Sequence, residues 1–467
     1  MNKNHYKQGK FFPMNIFQFF HSPFLQKNRK KILFCAIILL LLTGTLVRMI
    51  AMNYAPGHFL HHDGGDYLNI SEQLVKGNGF SKTNILWYEA TPPGYNGEPH
   101  TAFHRPPLLP LLGTVFYILP FDVIFSAKTA VFLMSMLCTL MVYFLAKEIF
   151  ESRKTAFLAA LIYTFYPYSI YYSLYYSSEK LFLFLLCGSF YFLSRCIKKD
   201  YSLLHATLCG GMMALATLTR PQGFGLFLLL GFTGTLFMLF NKKLRYKLFK
   251  SLVFYTLGAF LLLSPWMLRN YLAAGKPTPL TFFDAYSFAQ ASSDVSYMSY
   301  RYVDTLQYKE ITDKTWIAFH HEKREILARK GIYDLPSSNP YWKKWAWEYI
   351  RQNPQKMAYI VWNRILHCFR AVPNTAATGM MVTYLIRLYF IPFILLFFVG
   401  IYFARKNIRA LLLLLSPVTV LFFAIPFLML LRYRYPFFAP VAALFASYGL
   451  ISVIEQYFTF LHKRQKM

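Results

Sequence analysis

"PPLLPLLGTVFYILPF", Pro106–Phe121, is apolar from end to end, yet it carries Pro106, Pro107, Pro110 and Pro120. Whether this stretch crosses a bilayer decides the topology of everything after it. A spanning helix needs about 20 apolar residues to cover roughly 30 Å of hydrocarbon. This run is shorter and is interrupted by four prolines. Ten other runs are more continuous, near 31–52, 128–149, 155–175, 180–197, 203–219, 222–240, 250–268, 383–404, 409–431 and 435–456. Each is expected to be helical, because lipid offers no partner to a backbone amide and a barrel would read as short alternating segments.

Basic residues settle the parity. They gather in the short connections and tails: Lys27 to Lys31, Lys147 to Lys154, Arg195 to Lys199, Lys242 to Lys250, Arg405 to Arg409, and Lys463 to Lys466. If 106–121 does not span, all six clusters face one side, which the positive-inside rule makes the cytoplasm. If it spans, every later cluster flips. The segment is therefore expected to be a juxtamembrane helix, and both chain termini to be cytoplasmic.

Composition agrees with that class. The chain has 467 residues, 56% hydrophobic and 15% charged, against roughly a quarter charged in soluble domains. A net charge of +29 would suggest nucleic acid in a soluble protein, but here it is concentrated in the connections between spans, so no nucleic-acid partner is expected. The first apolar run exceeds the 7–15 residues of a signal h-region and lacks an A-x-A site, so it reads as an anchor. Six cysteines, five of them in or beside spans, give no disulfide framework.

The fold class expected is an all-α polytopic membrane protein with about ten spans. Its organisation is a tail (1–30), a membrane core (31–272) containing an outer loop (53–127), a second outer loop (273–382), the C-terminal spans (383–456) and a tail (457–467). Both loops are aromatic and hold six of the seven tryptophans, which places them against the headgroups. Residues 339–366 read as two amphipathic helices broken at Pro354.

Charges at span ends mark function more often than packing. Glu179 in "YYSSEKL", Arg220 in "LTRPQG", Arg269 in "SPWMLRNY", and Arg432 and Arg434 in "LLRYRYP" all emerge, by the same parity, on the side of "HHDGGDYLNISEQLVKGNGF", His61–Phe80. From Asp66 to Lys76 that stretch is helical in pattern, with Gly77 where a C′ glycine belongs. The aspartates read as caps, either Asp66 as N-cap or Asp63 as N-cap with Asp66 at N3. Because Gly64 and Gly65 suit a first turn poorly, Asp66 is expected as N-cap, with Asp63 on the approach. Five of twelve histidines lie in this outer loop. A carboxylate with His61, His62 and His104 suits a divalent ion in residue type, but no H-x-H or H-x-x-x-H spacing supports it. No cofactor is required.

Taken in order, the motifs resemble a family. An outer Asp with Tyr four residues later is followed by G-x-G-F, a basic residue before Pro-Pro, Y-P then S-E, T-R-P-x-G, P-W-x-x-R-N-Y and R-Y-R-x-P. The chain is similar over about 30–455 to the GT-C glycosyltransferases, in the branch of protein O-mannosyltransferases and lipid A aminoarabinose transferases. The resemblance implies a polyprenyl-phosphate sugar donor and a site on the outer face of the cytoplasmic membrane. It implies Asp63 as the catalytic carboxylate, Tyr67 at the matching +4 position, and Arg105 as a donor-phosphate ligand, with His104 where some relatives carry an acid. Many relatives have an acid directly after the catalytic Asp; here that residue is Gly64, and Asp66 is left as an alternative base.

Chemistry supports the same set. A carboxylate accepts the acceptor proton late, as the C–O bond forms. Arg105, Arg220, Arg269, Arg432 and Arg434 are candidates to hold the leaving phosphate, although arginine at a helix end is often only an anchor. The aromatic stretch 165–176 is a candidate wall for the prenyl chain. The expected partners are the lipid-linked sugar, membrane lipids and an acceptor lipid, glycan or protein. A flippase of lipid-linked sugars would instead need charges at mid-span and two related halves; a ligase or polymerase would use similar chemistry with another donor.

Overall fold

The computed structural model describes residues 23–54, 59–60, 63–278, 280–371, 380–427 and 431–464. Helix α1 (Pro23–Tyr54) enters first, and α2 (Gly64–Val75) follows. A two-stranded antiparallel ribbon, β1 (Ser81–Lys82) with β2 (His100–Thr101), leads to α3 (Leu108–Ile118). The core continues with α4 (Val123–Phe150), α5 (Arg153–Thr164), α6 (Pro167–Tyr171), α7 (Glu179–Lys198), α8 (Leu203–Thr217), α9 (Gln222–Phe240) and α10 (Arg245–Ala274). Five helices make the second large segment: α11 (Asp284–Ala291), α12 (Asp294–Arg301), α13 (Tyr308–Arg329), α14 (Leu335–Gln352) and α15 (Pro354–His367). The chain closes with α16 (Met380–Ala404), α17 (Ile408–Leu412), α18 (Leu415–Ala424) and α19 (Leu431–Arg464).

Among the described residues seven helices are long and apolar enough to cross a membrane, and the protein is a multi-pass membrane protein. The other three expected spans are shorter or broken. Pro167 interrupts α5–α6, α8 has 15 residues, and α17–α18 breaks at Leu413. The decisive segment forms α3, 11 residues long. At 1.5 Å per residue it reaches about 16 Å, half of a bilayer core.

Small residues let the spans pack closely, as lipid-embedded helices require. Gly210 on α8 and Gly258 on α10 each lie against the backbone of the other helix, so that a Cβ there would overlap a carbonyl oxygen. Gly400 and Gly449 do the same between α16 and α19.

The two polar segments share one core. Leu86, Tyr88 and Phe103 from the first pack with Phe282, Tyr286 and Trp342 from the second. Trp342 is fully buried there, so it is a core residue and not the headgroup anchor that its position in sequence suggested; Trp347 and Trp362 remain exposed. Residues 339–366 do form two helices separated at Pro354.

Candidate active site

Helix α2 starts two residues earlier than its glycines suggest. It begins at Gly64, with Asp63 at the N-cap position and Asp66 in the first turn. Close packing explains the glycine: a Cβ on Gly64 would lie 2.9 Å from the Tyr176 carbonyl oxygen. Asp66 is therefore not the cap, and Asp63 makes no side-chain capping bond either. Its carboxylate is turned instead toward arginines brought from three distant parts of the chain.

Arg105 donates from Nη2 to Asp63 Oδ1 and to Asp66 Oδ2, both at 2.7 Å. Arg432, at the start of α19, donates to the other Asp63 oxygen. Its Nε lies 3.2 Å from Glu179 Oε1, and the same oxygen is 2.8 Å from Arg220 Nη1. Arg220 also donates to Ser178 Oγ at 3.0 Å. The result is a continuous chain, Asp66–Arg105–Asp63–Arg432–Glu179–Arg220, in which three carboxylates alternate with three guanidinium groups. Tyr67, one turn after Asp63, lies under the Arg105 guanidinium at 5.2 Å and points its hydroxyl at Ser178.

Local bonds explain why these residues meet. The Leu108 amide donates to the Leu218 carbonyl at 3.0 Å, joining the start of α3 to the turn before Arg220. Ser71 Oγ donates to the Pro110 carbonyl at 2.9 Å and locks α2 against α3. The buried Lys82–Glu89 pair fixes the loop from which Asn84 donates to Asp66 Oδ1 at 2.9 Å.

The two aspartates differ in access. Asp63, Tyr67, Arg105, Arg220 and Arg432 line a cavity of about 480 Å³, and Asp66 does not. Burial raises the Asp63 pKa, but Arg105 and Arg432 outweigh it and hold the group far below the usual carboxylate range. Burial likewise opposes ionisation of Asp66, while His104 and Arg105 pull it down. Both are anions at neutral pH. His104 Nε2 stands 3.5 Å from Asp66 Oδ2. Burial drives its pKa down to about 4, so this imidazole is neutral.

Two expected phosphate ligands lie elsewhere. Arg269 donates to the carbonyls of Phe80 (3.0 Å) and Ala102 (3.2 Å) and is packed between Phe80, Phe103 and Trp266. Arg434 donates to the carbonyls of Cys368 (2.7 Å) and Arg370 (2.8 Å). Both are tied to backbone and neither meets Asp63. The aromatic stretch 165–176 is also not the cavity wall: Tyr166, Tyr172 and Tyr176 are buried in the helical core. Val420, Phe423, Phe427 and Phe437 supply apolar wall instead, and Trp87, Tyr286 and Trp316 line the cavity as well. The spacing of Phe423 and Phe427, one turn apart, was the readable signal for that wall.

His61 and His62 lie outside the described residues. Among the described residues no group of three or more His, Cys, Asp or Glu side chains is placed to hold a metal ion.

Residues 104–268, under half of the chain, match the family described as dolichyl-phosphate-mannose-protein mannosyltransferase. That region includes His104, Arg105, Glu179 and Arg220 and stops before Arg432. No curated protein matches the chain. Among solved structures, the chain is similar to the archaeal oligosaccharyltransferase AglB from Archaeoglobus fulgidus in complex with an inhibitory peptide and a dolichol-phosphate. The TM-score is 0.55 and the identity 13%, covering 94% of this chain and 52% of that one. The apo form of the A. fulgidus enzyme gives 0.53 and 14%, covering 92% and 52%. ArnT from Cupriavidus metallidurans bound to undecaprenyl phosphate gives 0.42 and 16%, covering 89% and 77%. The chain spans about half the length of the oligosaccharyltransferase, and the likeness to it is one of fold.

Proposed function

We propose that this chain, a multi-pass membrane protein with the fold of the GT-C glycosyltransferases, moves a sugar from a polyprenyl phosphate to an acceptor hydroxyl. The reaction takes place at the outer face of the cytoplasmic membrane, with inversion at the anomeric carbon. One observation carries the reading: Asp63 faces a cavity while held between Arg105 and Arg432. The family match over 104–268 supports a lipid-phosphate donor.

The steps follow from the side chains. The acceptor oxygen attacks the anomeric carbon, the bond from that carbon to the phosphate oxygen breaks, and the acceptor proton passes to Asp63. The lipid leaves as a phosphate monoester with one more negative charge. Guanidinium groups stabilise that charge where it develops, and Arg432 and Arg220 are the cavity-lining groups beside the apolar wall of Val420, Phe423 and Phe427. An aspartate between two guanidiniums is a weak base. As the donor phosphate takes Arg432, Asp63 loses one cation and its proton affinity rises. The resting cluster is thus a reservoir of paired charge that the donor rearranges.

The test is transfer by the purified protein in detergent, with a labelled polyprenyl-phosphate hexose and membrane extract as the acceptor source. Release of free polyprenyl phosphate together with labelled acceptor is the expected result. Label that stays wholly on the lipid, with lipid crossing between leaflets in proteoliposomes, would mean a flippase instead. Comparing the surface glycans of a deletion strain with those of its parent identifies the acceptor.

A further inference from the structure

At the end of α7–α10 remote from Asp63 lies a second cavity, of about 140 Å³, lined by Leu230, Phe237, Leu248, Leu252 and Tyr255 and closed on one side by Leu412. Gly234 leaves room in its wall. Phe237, which lines it from α9, is 44% exposed. Leu228 and Phe232 on α9 and Phe249 and Leu257 on α10 are exposed as well. An apolar cavity of about 150 Å³ stays dry in a soluble protein. One that opens onto hydrocarbon is filled by whatever hydrocarbon adjoins it.

The turns beside the cavity add a second requirement. Asn241 and Leu244, in the turn between α9 and α10, line the cavity, as does Tyr201 in the turn between α7 and α8. Those turns read "KKDYS" (198–202) and "NKKLRYKLFK" (241–250), seven basic residues against one acid. Lys247 pairs with Asp200 at 2.6 Å, which brings the two turns together and uses that acid. Lys199, Lys242 and Lys243 are exposed, and among the described residues no carboxylate pairs with them. Positive residues collect on the cytoplasmic side of any membrane protein. Here they stand in the same two turns as the cavity-lining Tyr201, Asn241 and Leu244.

We infer that this recess is a binding site for an anionic glycerophospholipid, with one acyl chain between α8, α9 and α10 and the phosphate headgroup against Lys199, Lys242 and Lys243. The site holds a resident lipid on the face opposite the reaction cavity, and it ties the short helix α8 to its neighbours. This inference does not depend on the transferase reading.

Native mass spectrometry of the full-length protein, exchanged into detergent with phosphatidylglycerol or phosphatidylcholine, tests it. One phosphatidylglycerol should survive activation that strips phosphatidylcholine. A basic residue near an anionic headgroup is worth about fivefold in affinity, so K199Q, K242Q and K243Q, all exposed substitutions, should each weaken retention by about that factor. Leu248→Trp, which fills the recess, should abolish retention with the lysines intact. Thermal unfolding of the wild type titrated with each lipid gives a second reading: phosphatidylglycerol should raise the midpoint by about 2–4 °C and phosphatidylcholine should not. Equal retention of the two lipids, or phosphatidylglycerol retention unchanged both in the variant combining K199Q, K242Q and K243Q and in Leu248→Trp, overturns the inference.

Discussion

Arg432 and Arg434 sit two residues apart on α19, yet they belong to different regions of the molecule. Arg432 is paired directly with Asp63 and Glu179, and it lines the cavity together with Asp63. Arg434 is buried and donates to two backbone carbonyls, those of Cys368 and Arg370. Arg364 on α15 is of the second kind, fully buried and donating to the carbonyls of Ile425 and Ala291. Arg48 on α1 is likewise buried with no carboxylate partner among the described residues, donating to the carbonyls of Gly44 and Thr164 and to the hydroxyls of Ser169 and Ser173. The difference is in what each guanidinium can release. A carbonyl fixed in a helix end has no other donor, so its arginine is a clamp. In the proposed reaction a carboxylate beside a cavity is exchanged for an incoming phosphate, so its arginine is available for chemistry.

The sharpest way to break this contrast is Asp63→Asn. If Asp63 takes the proton, transfer should fall about a thousandfold with donor binding retained. Asp66→Asn, which touches Arg105 but not the cavity, should lose only about tenfold. Single-turnover transfer by the purified variants measures both, and wild-type rates in Asp63→Asn would end the base assignment. Next is Arg432→Gln. Removing a cation aimed at developing charge costs about a hundredfold in kcat, and Arg432→Lys should recover only part of it because an ammonium lacks the guanidinium's fork.

The clamps should behave oppositely. Arg364→Met leaves two buried carbonyls without donors, at about 1–3 kcal/mol each. The midpoint of thermal unfolding should drop, while kcat per folded molecule stays within about twofold of wild type. A fall in kcat with no loss of stability would place Arg364 among the chemical arginines and erase the distinction.

Much of this was legible before any coordinates. Run lengths gave seven of the ten expected spans as long apolar helices, and 106–121, short and rich in proline, forms a helix of 11 residues. Parity put Asp63, Glu179, Arg220 and Arg432 at one end, because net topology depends only on counting. The sorting of the arginines was also partly readable. Residues two apart on a helix point about 200° from each other, so Arg432 and Arg434 could not both face Asp63. What sequence could not reveal was tertiary. Gly64 opens a helix because the Tyr176 carbonyl comes close, and Arg269 is consumed by carbonyls of a loop nearly two hundred residues away. Arg48 was a missed signal of another kind: an arginine within the first apolar run is unusual in a span, and it proves to be 2% exposed.

The smallest effect tests the neutral member of the cluster. His104 is 3% exposed, its pKa lowered from 6.5 to about 4. Burial is the main cause; Arg105 and Lys82 add to it, and Asp66 opposes it. The folded state therefore binds fewer protons than the unfolded chain between pH 4 and 6.5, so stability is complete above pH 6.5 and falls as the pH drops toward 4. From pH 7 to pH 5 this one group is worth about 2 kcal/mol. His320 and His367, also held at about 4, contribute in the same direction, so the wild-type unfolding midpoint should slope steeply over that range. His104→Gln should flatten the slope by about a third while leaving the midpoint at pH 7 nearly unchanged. A slope that does not change would mean that His104 carries its proton in the folded protein. Asp66 would then be paired by two cations rather than one, and the balance of three carboxylates against three guanidiniums would give way to a cluster with net positive charge.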